Sequence, residues 1–365
     1  MVINMKISIC GDVSTTYSAE LFRSLDLKAL FGSVPEVFSD SDRVLINLEC
    51  ALTEKETPIN KKGPNLKGPL ETAEALKRIG ATDCAISNNH IMDYGIPGVT
   101  DTRITLENLN LSYTGYGEDY EDSRKNLIME KDGKKISVIA VCEHEYCYAL
   151  EKRPGARPFD PFDTLEDIRN AKAECDYVVV LYHGGKEQSL YPSPRLRKAC
   201  QAMVKCGADV VLCQHSHCIG CYEKFQGSHI LYGQGNFHFT GRTDHPHWQS
   251  GLIVQLNITD KVDISFIPVK VDGLGIDLAK GEDYDTIMNA FNEQSKNLHN
   301  GVWLEKWDEF CQSTKERYLG NISRAFSDKA EEADNELFCG RMHCEAHKDV
   351  IDWLCKHYWE EDGRI

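Results

Sequence analysis

The 365-residue sequence contains no apolar run near the ~18 residues that a membrane span requires. Its first residues also lack a basic segment followed by a long apolar stretch, which is the pattern of a secretory signal. No basic stretch that could neutralise phosphates is visible, and the formal net charge of −16 argues against general nucleic-acid binding. These absences predict a cytoplasmic protein without a membrane span and without a nucleic-acid partner.

Cysteine is abundant, but its pattern does not indicate a disulfide framework. The fifteen cysteines are odd in number, and Cys10, Cys84, Cys142 and Cys213 fall within predicted strands. Reduced thiols buried in the core of a cytosolic protein fit this pattern better than secreted crosslinks.

Two kinds of pattern divide the chain. Up to about residue 270, short runs rich in Val, Ile and Leu alternate with amphipathic segments, which predicts an α/β fold, mainly parallel at first and closed by antiparallel hairpins. The predicted strands lie near 3–10, 44–48, 83–87, 136–142, 177–182, 209–213, 229–232, 251–258 and 262–269, and the predicted helices near 70–79, 97–109, 163–174 and 194–206.

From about residue 283, aromatic and aliphatic residues recur at helical spacing, and no strand-like run interrupts them. We therefore expect a main domain over residues 1–275 and a helical extension over 276–365 that packs on it.

Five of the apolar runs end in residues that can bind a metal. These endings are Asp12, Glu49, the pair Asn89 and His90, His183, and the pair His215 and His217. Because the carboxyl ends of strands in an α/β sheet converge on one edge, ligands that are distant in sequence become neighbours there.

Each ending is weak evidence alone, since an Asp after a strand is often a helix cap and a lone histidine there is often structural. Alternation along the second run places Asn47 and Glu49 on one face, opposite the buried Leu48. His215 and His217 would lie on the same side of an extended segment. Together, one amide, two carboxylates and the three histidines His183, His215 and His217 at strand exits predict a metal site.

The order of these motifs resembles the CapA family, the poly-γ-glutamate capsule synthesis proteins among the calcineurin-like metallophosphoesterases. The resemblance covers about residues 4–270. It rests on Gly11-Asp12, Asn47-Leu48-Glu49, Asn88-Asn89-His90 with Asp93-Tyr94-Gly95, His183-Gly184-Gly185 with Glu187, Gly207-Ala208-Asp209 leading to His215-Ser216-His217, and Gly235-Asn236-Phe237.

The resemblance implies a four-layer α-β-β-α sandwich with two divalent metal ions, Mn, Fe or Zn, at the strand ends. It implies that Glu49 bridges the two ions. The remaining ligands that it implies are Asp12 and His217 for one ion, and Asn89, His183 and His215 for the other.

The resemblance also implies roles for residues around the metals. His90 would protonate the leaving group or stabilise the transition state, and Asp93 would orient His90. Glu187 and Asn236 would lie near the substrate.

Three positions depart from the pattern of the wider superfamily. Ser14 stands where a histidine follows the first aspartate, Glu49 stands where an aspartate is usual, and Gln214 stands where a glycine precedes the paired histidines. One metal site has therefore lost a protein ligand, and we expect it to bind weakly or to be completed by substrate.

Three functions remain open from the sequence. The first is a metal-dependent hydrolase for a phosphoester or related anionic substrate, small or oligomeric, in capsule or other envelope polymer biosynthesis. The second is a γ-glutamyl amide hydrolase or transferase that uses the same metals, and the third is a non-catalytic metal-binding scaffold. Many CapA-like proteins carry an N-terminal anchor, whereas this sequence starts almost at its first predicted strand, so we expect a cytosolic substrate. A homo-oligomer is compatible with all three functions.

Two further groups of residues have weaker interpretations. Cys339, His343 and His347 contain two histidines at helical spacing but no correctly placed glutamate, so an ordinary helix face is predicted. Lys61, Lys62 and Lys67 lie in the polar loop at 53–69 and could contact an anionic substrate, although charged loops are usually solvated.

Overall fold

The predicted alternation of strands and helices is present in the computed structural model, which describes residues 4–242 and 245–361. In chain order, the strands are β1 (Met5–Val13), β2 (Arg43–Leu48), β3 (Ala51–Leu52), β4 (Lys67–Gly68), β5 (Asp83–Ala85), β6 (Ser112–Thr114), β7 (Tyr116–Gly117), β8 (Leu127–Lys131), β9 (Lys134–Cys142), β10 (Gly155–Ala156), β11 (Tyr177–His183), β12 (Val210–Gln214), β13 (Tyr222–Phe225), β14 (Ser228–Leu231), β15 (Asn236–His238), β16 (Ser250–Ile258), β17 (Val262–Asp272) and β18 (Gly275–Leu278).

The α-helices are α1 (Ala19–Ser24), α2 (Leu27–Phe31), α3 (Pro35–Phe38), α4 (Glu71–Arg78), α5 (Gly95–Asn108), α6 (Tyr120–Ser123), α7 (Pro161–Glu174), α8 (Pro194–Lys205), α9 (Glu282–Asn300), α10 (Trp303–Ala325), α11 (Glu332–His343) and α12 (Glu345–Glu361). A 3-10 helix spans Pro246–Gln249.

The long strands form two mixed sheets. The first sheet has the order β18-β17-β16-β1-β2-β5-β6, and β15 also pairs with β1. Its strands β1, β2, β5 and β6 run parallel, whereas β16, β17 and β18 continue it antiparallel. The second sheet has the order β13-β14-β12-β11-β9-β8, and its centre is parallel.

The two sheets pack face to face between two helical layers. Ile7, Leu45, Val179 and Leu212 belong to one buried apolar cluster that joins both sheets. The outer face of the first sheet is covered by residues of α1 to α5, and that of the second by residues of α7 and α8. This is the four-layer α-β-β-α sandwich that the resemblance implies, and the predicted fold class is confirmed.

Local sequence explains where the helices over the second sheet begin. The Asp160 side chain accepts hydrogen bonds from the backbone N–H groups of Phe162 and Asp163, and Pro161 occupies the first turn of α7. Ser193 caps α8 in the same way, ahead of Pro194. Both caps satisfy backbone donors that a helix start leaves without intrahelical partners.

The four C-terminal helices, α9 to α12, form what we call the helical extension. Phe291 of α9 contacts Phe266 of the first sheet, with ring centroids 4.9 Å apart, and belongs to the cluster between the sheets. Trp307 and Tyr318 of α10 pack with Val350 and Leu354 of α12 in a separate buried cluster. Among the described residues, no helix is both long enough and apolar enough to cross a membrane.

Candidate metal centre

The five predicted strand endings meet at one end of the two packed sheets. Asp12 lies at the end of β1, Glu49 directly follows β2, and Asn89 lies in the turn after β5. His183 ends β11 of the second sheet, and His215 and His217 follow β12. All six side chains are buried, and Asp12 and Glu49 have no exposed surface.

Glu49 lies at the centre of this cluster. Ligand atoms of Asp12, Glu49 and His183 lie within 4.8 Å of one another, and so do those of Glu49, His215 and His217. The Glu49 Oε1 atom is 3.2 Å from His183 Nε2 and 3.8 Å from His217 Nε2. These buried groups could bind metal ions, and Glu49 is common to both.

Two histidines lie close to Asp12. His217 Nδ1 lies 3.4 Å from Asp12 Oδ2, as the family pattern implies, but His183 Nδ1 also lies 3.8 Å from Asp12 Oδ1. The amide oxygen of Asn89 is 2.9 Å from His183 Nε2, so the amide belongs to the His183 side of the cluster.

Several atoms of the cluster that could bind a metal have no hydrogen-bond partner among the described residues. Both carboxylate oxygens of Glu49 and the Nδ1 atom of His215 are buried and make no hydrogen bond with any residue that the structure describes. Burying such atoms without partners is unfavourable. Divalent metal ions would satisfy them, because carboxylate, amide and imidazole donors together suit Mn, Fe or Zn. The residues present therefore fit a metal site.

Burial and mutual charge shift the pKa values of the cluster. Burial and the nearby Asp12 raise the pKa of Glu49 well above its ordinary value. Burial lowers the pKa of His183 to about 4 and that of His215 to about 3, which keeps both imidazoles in the neutral form that binds metals. Burial opposes a charge on His217, but Glu49 and Asp12 raise its pKa to about 9. The carboxylates of Glu49 and Asp12 thus favour a positive charge at the position of His217.

Hydrogen bonds from neighbouring groups orient the cluster. Asn47 Nδ2 donates to Asp12 Oδ1 at 2.6 Å, and the backbone N–H of His215 donates to Asp12 Oδ2 at 2.9 Å. The buried Asn236 accepts at Oδ1 from His217 Nδ1 at 2.9 Å, and its own Nδ2 donates to the Trp248 carbonyl. Such contacts fix the ring orientation of a metal-binding histidine.

The segment that carries His215 and His217 is a turn. Their φ angles are 82° and 53°, in the left-handed region that non-glycine residues rarely adopt. The expectation of an extended segment is therefore wrong here. Backbone strain of this kind is concentrated at functional sites, where surrounding contacts hold it in place.

His90, Asp93 and Lys61 form a buried chain of contacts beside the cluster. His90 Nδ1 donates to Asp93 Oδ2 at 2.6 Å, and the Lys61 ammonium lies 2.5 Å from Asp93 Oδ1 and 3.2 Å from His90 Nδ1. The Lys61 side chain is only 2% exposed, so the prediction of a solvated lysine at this position is wrong. Burial and Lys61 lower the pKa of His90 to about 4.

Glu187 follows β11 and lies near the histidines of the cluster. Although desolvation opposes its charge, Lys186, His215 and His217 hold the pKa of Glu187 well below its ordinary range. The cluster and Glu187 therefore lie within one electrostatic neighbourhood.

Two further acidic residues near the cluster, Glu143 and Glu145, follow β9 and were not predicted from the sequence. The Glu145 carboxylate accepts a hydrogen bond from Asn89 Nδ2 at 3.2 Å, and burial raises its pKa to about 7. Glu143 accepts from the Tyr182 hydroxyl and from the backbone N–H of Gly185, so it supports the turn after His183. The sequence pattern that predicts Asp12 and Glu49, an acidic residue at the end of an apolar run, is also present here, at the end of a Val- and Ile-rich run.

Comparisons with known proteins cover mainly the sandwich. A family model described as bacterial capsule synthesis protein PGA_cap matches residues 6–240. The capsule biosynthesis protein CapA of Bacillus anthracis is 29% identical over 245 residues, covering 64% of this chain and 60% of that protein. The PGA biosynthesis protein CapA of Bacillus subtilis (strain 168) is 31% identical over 237 residues, covering 64% and 62%. The chain thus spans about three fifths of the length of these relatives.

Solved structures give more distant matches. A crystal structure described as a novel phosphatase from Mycoplasma pneumoniae covers 75% of this chain and 96% of its own, with a TM-score of 0.48 and 15% identity. A hypothetical protein from Thermus thermophilus covers 72% of this chain and 99% of its own, with a TM-score of 0.43 and 15% identity.

Proposed function

The chain belongs to the family of bacterial capsule synthesis proteins designated PGA_cap, and from this premise we propose that it is a metal-dependent hydrolase. Its substrate would be a phosphoester or related anionic compound used in capsule or other envelope polymer biosynthesis. The observation that carries the proposal is Glu49, whose two buried carboxylate oxygens have no hydrogen-bond partner within residues 4–242 and 245–361 and lie amid His183, His215 and His217. A buried carboxylate in this setting is suited to bridging two cations.

The residues that would hold the two ions follow from the cluster. Glu49 would contact both ions, and the other ligands would be Asp12, Asn89, His183, His215 and His217. Two bound divalent ions supply a nucleophile at neutral pH and stabilise the negative charge that develops during displacement at phosphorus.

In this proposal, His90 exchanges a proton with the substrate. A carboxylate oxygen can only accept, so the hydrogen bond to Asp93 puts a proton on His90 Nδ1. Any further proton must therefore pass through Nε2, for which the described residues supply no hydrogen-bond partner. Asp93 is held in turn by Lys61 and by the backbone N–H of Leu66. This chain of contacts fixes the ring for transfer to a leaving oxygen.

The experiment is turnover of p-nitrophenyl phosphate and bis-p-nitrophenyl phosphate after loading with Mn, Fe or Zn. We expect His90→Ala to lower kcat by about 10²- to 10⁴-fold with unchanged metal content, because proton transfer typically contributes that much. The control is His299→Ala, since His299 is exposed on α9. Full turnover by His90→Ala would contradict the role of His90, and a metal-loaded wild type that hydrolyses neither ester would contradict phosphoester hydrolysis.

A second candidate is hydrolysis or transfer of a γ-glutamyl amide by the same centre. It is favoured by the name of the Bacillus subtilis relative, which assigns that protein to PGA biosynthesis. Release of glutamate from a γ-glutamyl oligomer by the metal-loaded wild type, without ester turnover, would select this candidate.

A further inference from the structure

A cavity of about 370 Å³ lies between the sandwich and the helical extension. Its walls come from the loop at 60–62, the segment 144–146 after β9, and the residues 336–347 of α11 and α12. The volume is that of a site for a small molecule. Since the family model ends at residue 240, the helical side of this cavity lies outside the part of the chain that the family pattern describes.

The cavity adjoins the candidate metal centre. A second, much smaller cavity is lined by Asn89, His183 and His215 together with Glu145 and Cys344. Glu145 and Cys344 also line the large cavity, so these two residues form the wall between the two spaces. A molecule in the large cavity would lie next to the proposed metal ligands.

The helical extension is fixed to the body close to this wall. Asp349 of α12 accepts hydrogen bonds from Ser193 at 2.5 Å and from Arg195 Nε at 2.7 Å. Arg195 also donates to Glu143 at 2.5 Å, and Glu143 in turn accepts from the backbone N–H of Gly185. These contacts link α12 to the turn after His183, so the cavity is part of the fold at the metal centre.

Arg341 is the unusual residue of the cavity. It is only 5% exposed, and among the described residues it makes no ion pair with a carboxylate. One of its guanidinium nitrogens donates to the Arg317 carbonyl at 3.3 Å, and the guanidinium lies over the Tyr318 ring at 4.6 Å. Among the described residues this guanidinium has no other hydrogen-bond acceptor, so most of its five N–H donors are open to an anion in the cavity.

The other charged groups of the cavity do not satisfy Arg341. Glu336 pairs with Lys62 at 3.0 Å, and Glu145 accepts from Asn89. Lys61 is paired with Asp93. In a chain with a formal charge of −16, a buried arginine that lines a cavity without a carboxylate partner marks a place for an external anion.

We propose that Arg341 and the cavity beneath α11 bind an oxyanion group of the substrate, a carboxylate or a phosphate, remote from the bond that is broken at the metal centre. The planar guanidinium suits both groups because each can accept two parallel N–H bonds. The assignment of the bound molecule as the substrate rests on the proposed hydrolase function. The helical extension thereby selects substrates that carry a second anionic group.

The test is isothermal titration of the full chain, as purified, with glutarate and separately with inorganic phosphate. We expect Arg341→Ala to bind the preferred probe about tenfold more weakly or worse, because charge-assisted bidentate hydrogen bonds are lost. Arg341→Lys keeps the positive charge but loses the two parallel N–H donors of the guanidinium, so it should weaken binding by a smaller factor. If Arg341→Ala does not fold, the affinity of Arg341→Lys tests the proposal instead. Lys315→Ala, at an exposed position on α10, is the matched control and should bind within about twofold of wild type.

His215→Ala separates the cavity from the metal centre. We expect it to retain the binding that depends on Arg341, even though it removes a proposed metal ligand. The probe that binds identifies the group as a carboxylate or a phosphate. The proposal is overturned if wild type binds neither probe at about 10 mM, a concentration above the usual range of KM values. It is also overturned if both Arg341 variants bind the probe as tightly as wild type does. Titration needs no turnover. Binding that depends on Arg341, without hydrolysis, would therefore support an oxyanion site in the cavity and contradict only the hydrolase function.

Discussion

At the scale of single residues, polar and charged side chains of this site are buried, which is unfavourable unless a neighbouring charge or a bound ion compensates it. The buried side chain of Glu49 has no hydrogen-bond partner in the described part of the chain, and Lys61 is buried in a loop that its polar sequence predicts to be solvated. The sequence predicts Glu49 because a carboxylate at a strand exit is a local pattern. It does not predict the burial of Lys61, because that depends on Asp93, which is 32 residues away.

The ion pair of Lys61 and Asp93 leads to a stability prediction. Lys61→Met leaves the Asp93 carboxylate, which is 0% exposed, without its cation. We expect the free energy of unfolding to fall by about 3–5 kcal/mol, the usual cost of breaking a buried pair. Urea denaturation monitored by circular dichroism measures this change.

The neighbouring Lys62 is the control for this experiment. Its side chain is 37% exposed and pairs with Glu336, so Lys62→Met should cost about 1 kcal/mol or less. Equal losses for the two variants would show that the Lys61 contact contributes no more than a surface ion pair.

At the scale of elements, the sequence predicts the long strands well and the short ones poorly. The Val-, Ile- and Leu-rich runs become β1, β9, β11 and β16 to within a few residues, because burial on both faces demands such runs. The two-residue strands such as β3 have no periodic pattern to detect. The turn at His215 escapes prediction because its left-handed backbone is imposed by contacts such as that with Asp12.

The start of α12 leads to a prediction of pH dependence. Glu345 accepts hydrogen bonds from the backbone N–H of His144 at 2.8 Å and from its Nδ1 at 2.6 Å. Burial raises the pKa of Glu345, but the contacts with His144 outweigh it and hold that pKa below the ordinary value. The stabilisation is therefore present above the unfolded-state pKa near ~4.3 and is lost as the pH falls through the folded-state pKa.

Glu345→Gln should accordingly lower the free energy of unfolding by about 1 kcal/mol at neutral pH, and the difference from wild type should shrink toward pH ~3. Denaturation at the two pH values measures this. Glu332→Gln, at an exposed position in the first turn of α11, serves as the control. A difference for Glu345→Gln that stays constant or grows toward acid pH would contradict the assigned direction of the pKa shift.

At the scale of the whole molecule, the site is built in three parts. The two sheets bring the candidate ligands together, the loop at 53–69 contributes Lys61, and the helical extension closes a cavity beside the candidate ligands. The expectation that His343 and His347 share one helix face is wrong, because α11 ends at His343 and α12 begins at Glu345. The sequence predicts that the extension is helical, but only the tertiary packing shows that it lines a cavity next to the candidate metal centre.

The most direct test of the account is the metal content of the purified chain after loading with Mn or Zn, measured for wild type, Glu49→Gln and the exposed control Glu36→Gln. The account predicts about two ions per chain in wild type and in the control, and at most about one in Glu49→Gln, because both ions would share the lost carboxylate. A wild type that retains no metal, or a Glu49→Gln variant that retains as much metal as wild type, would contradict the claim that these strand ends form a binuclear metal centre.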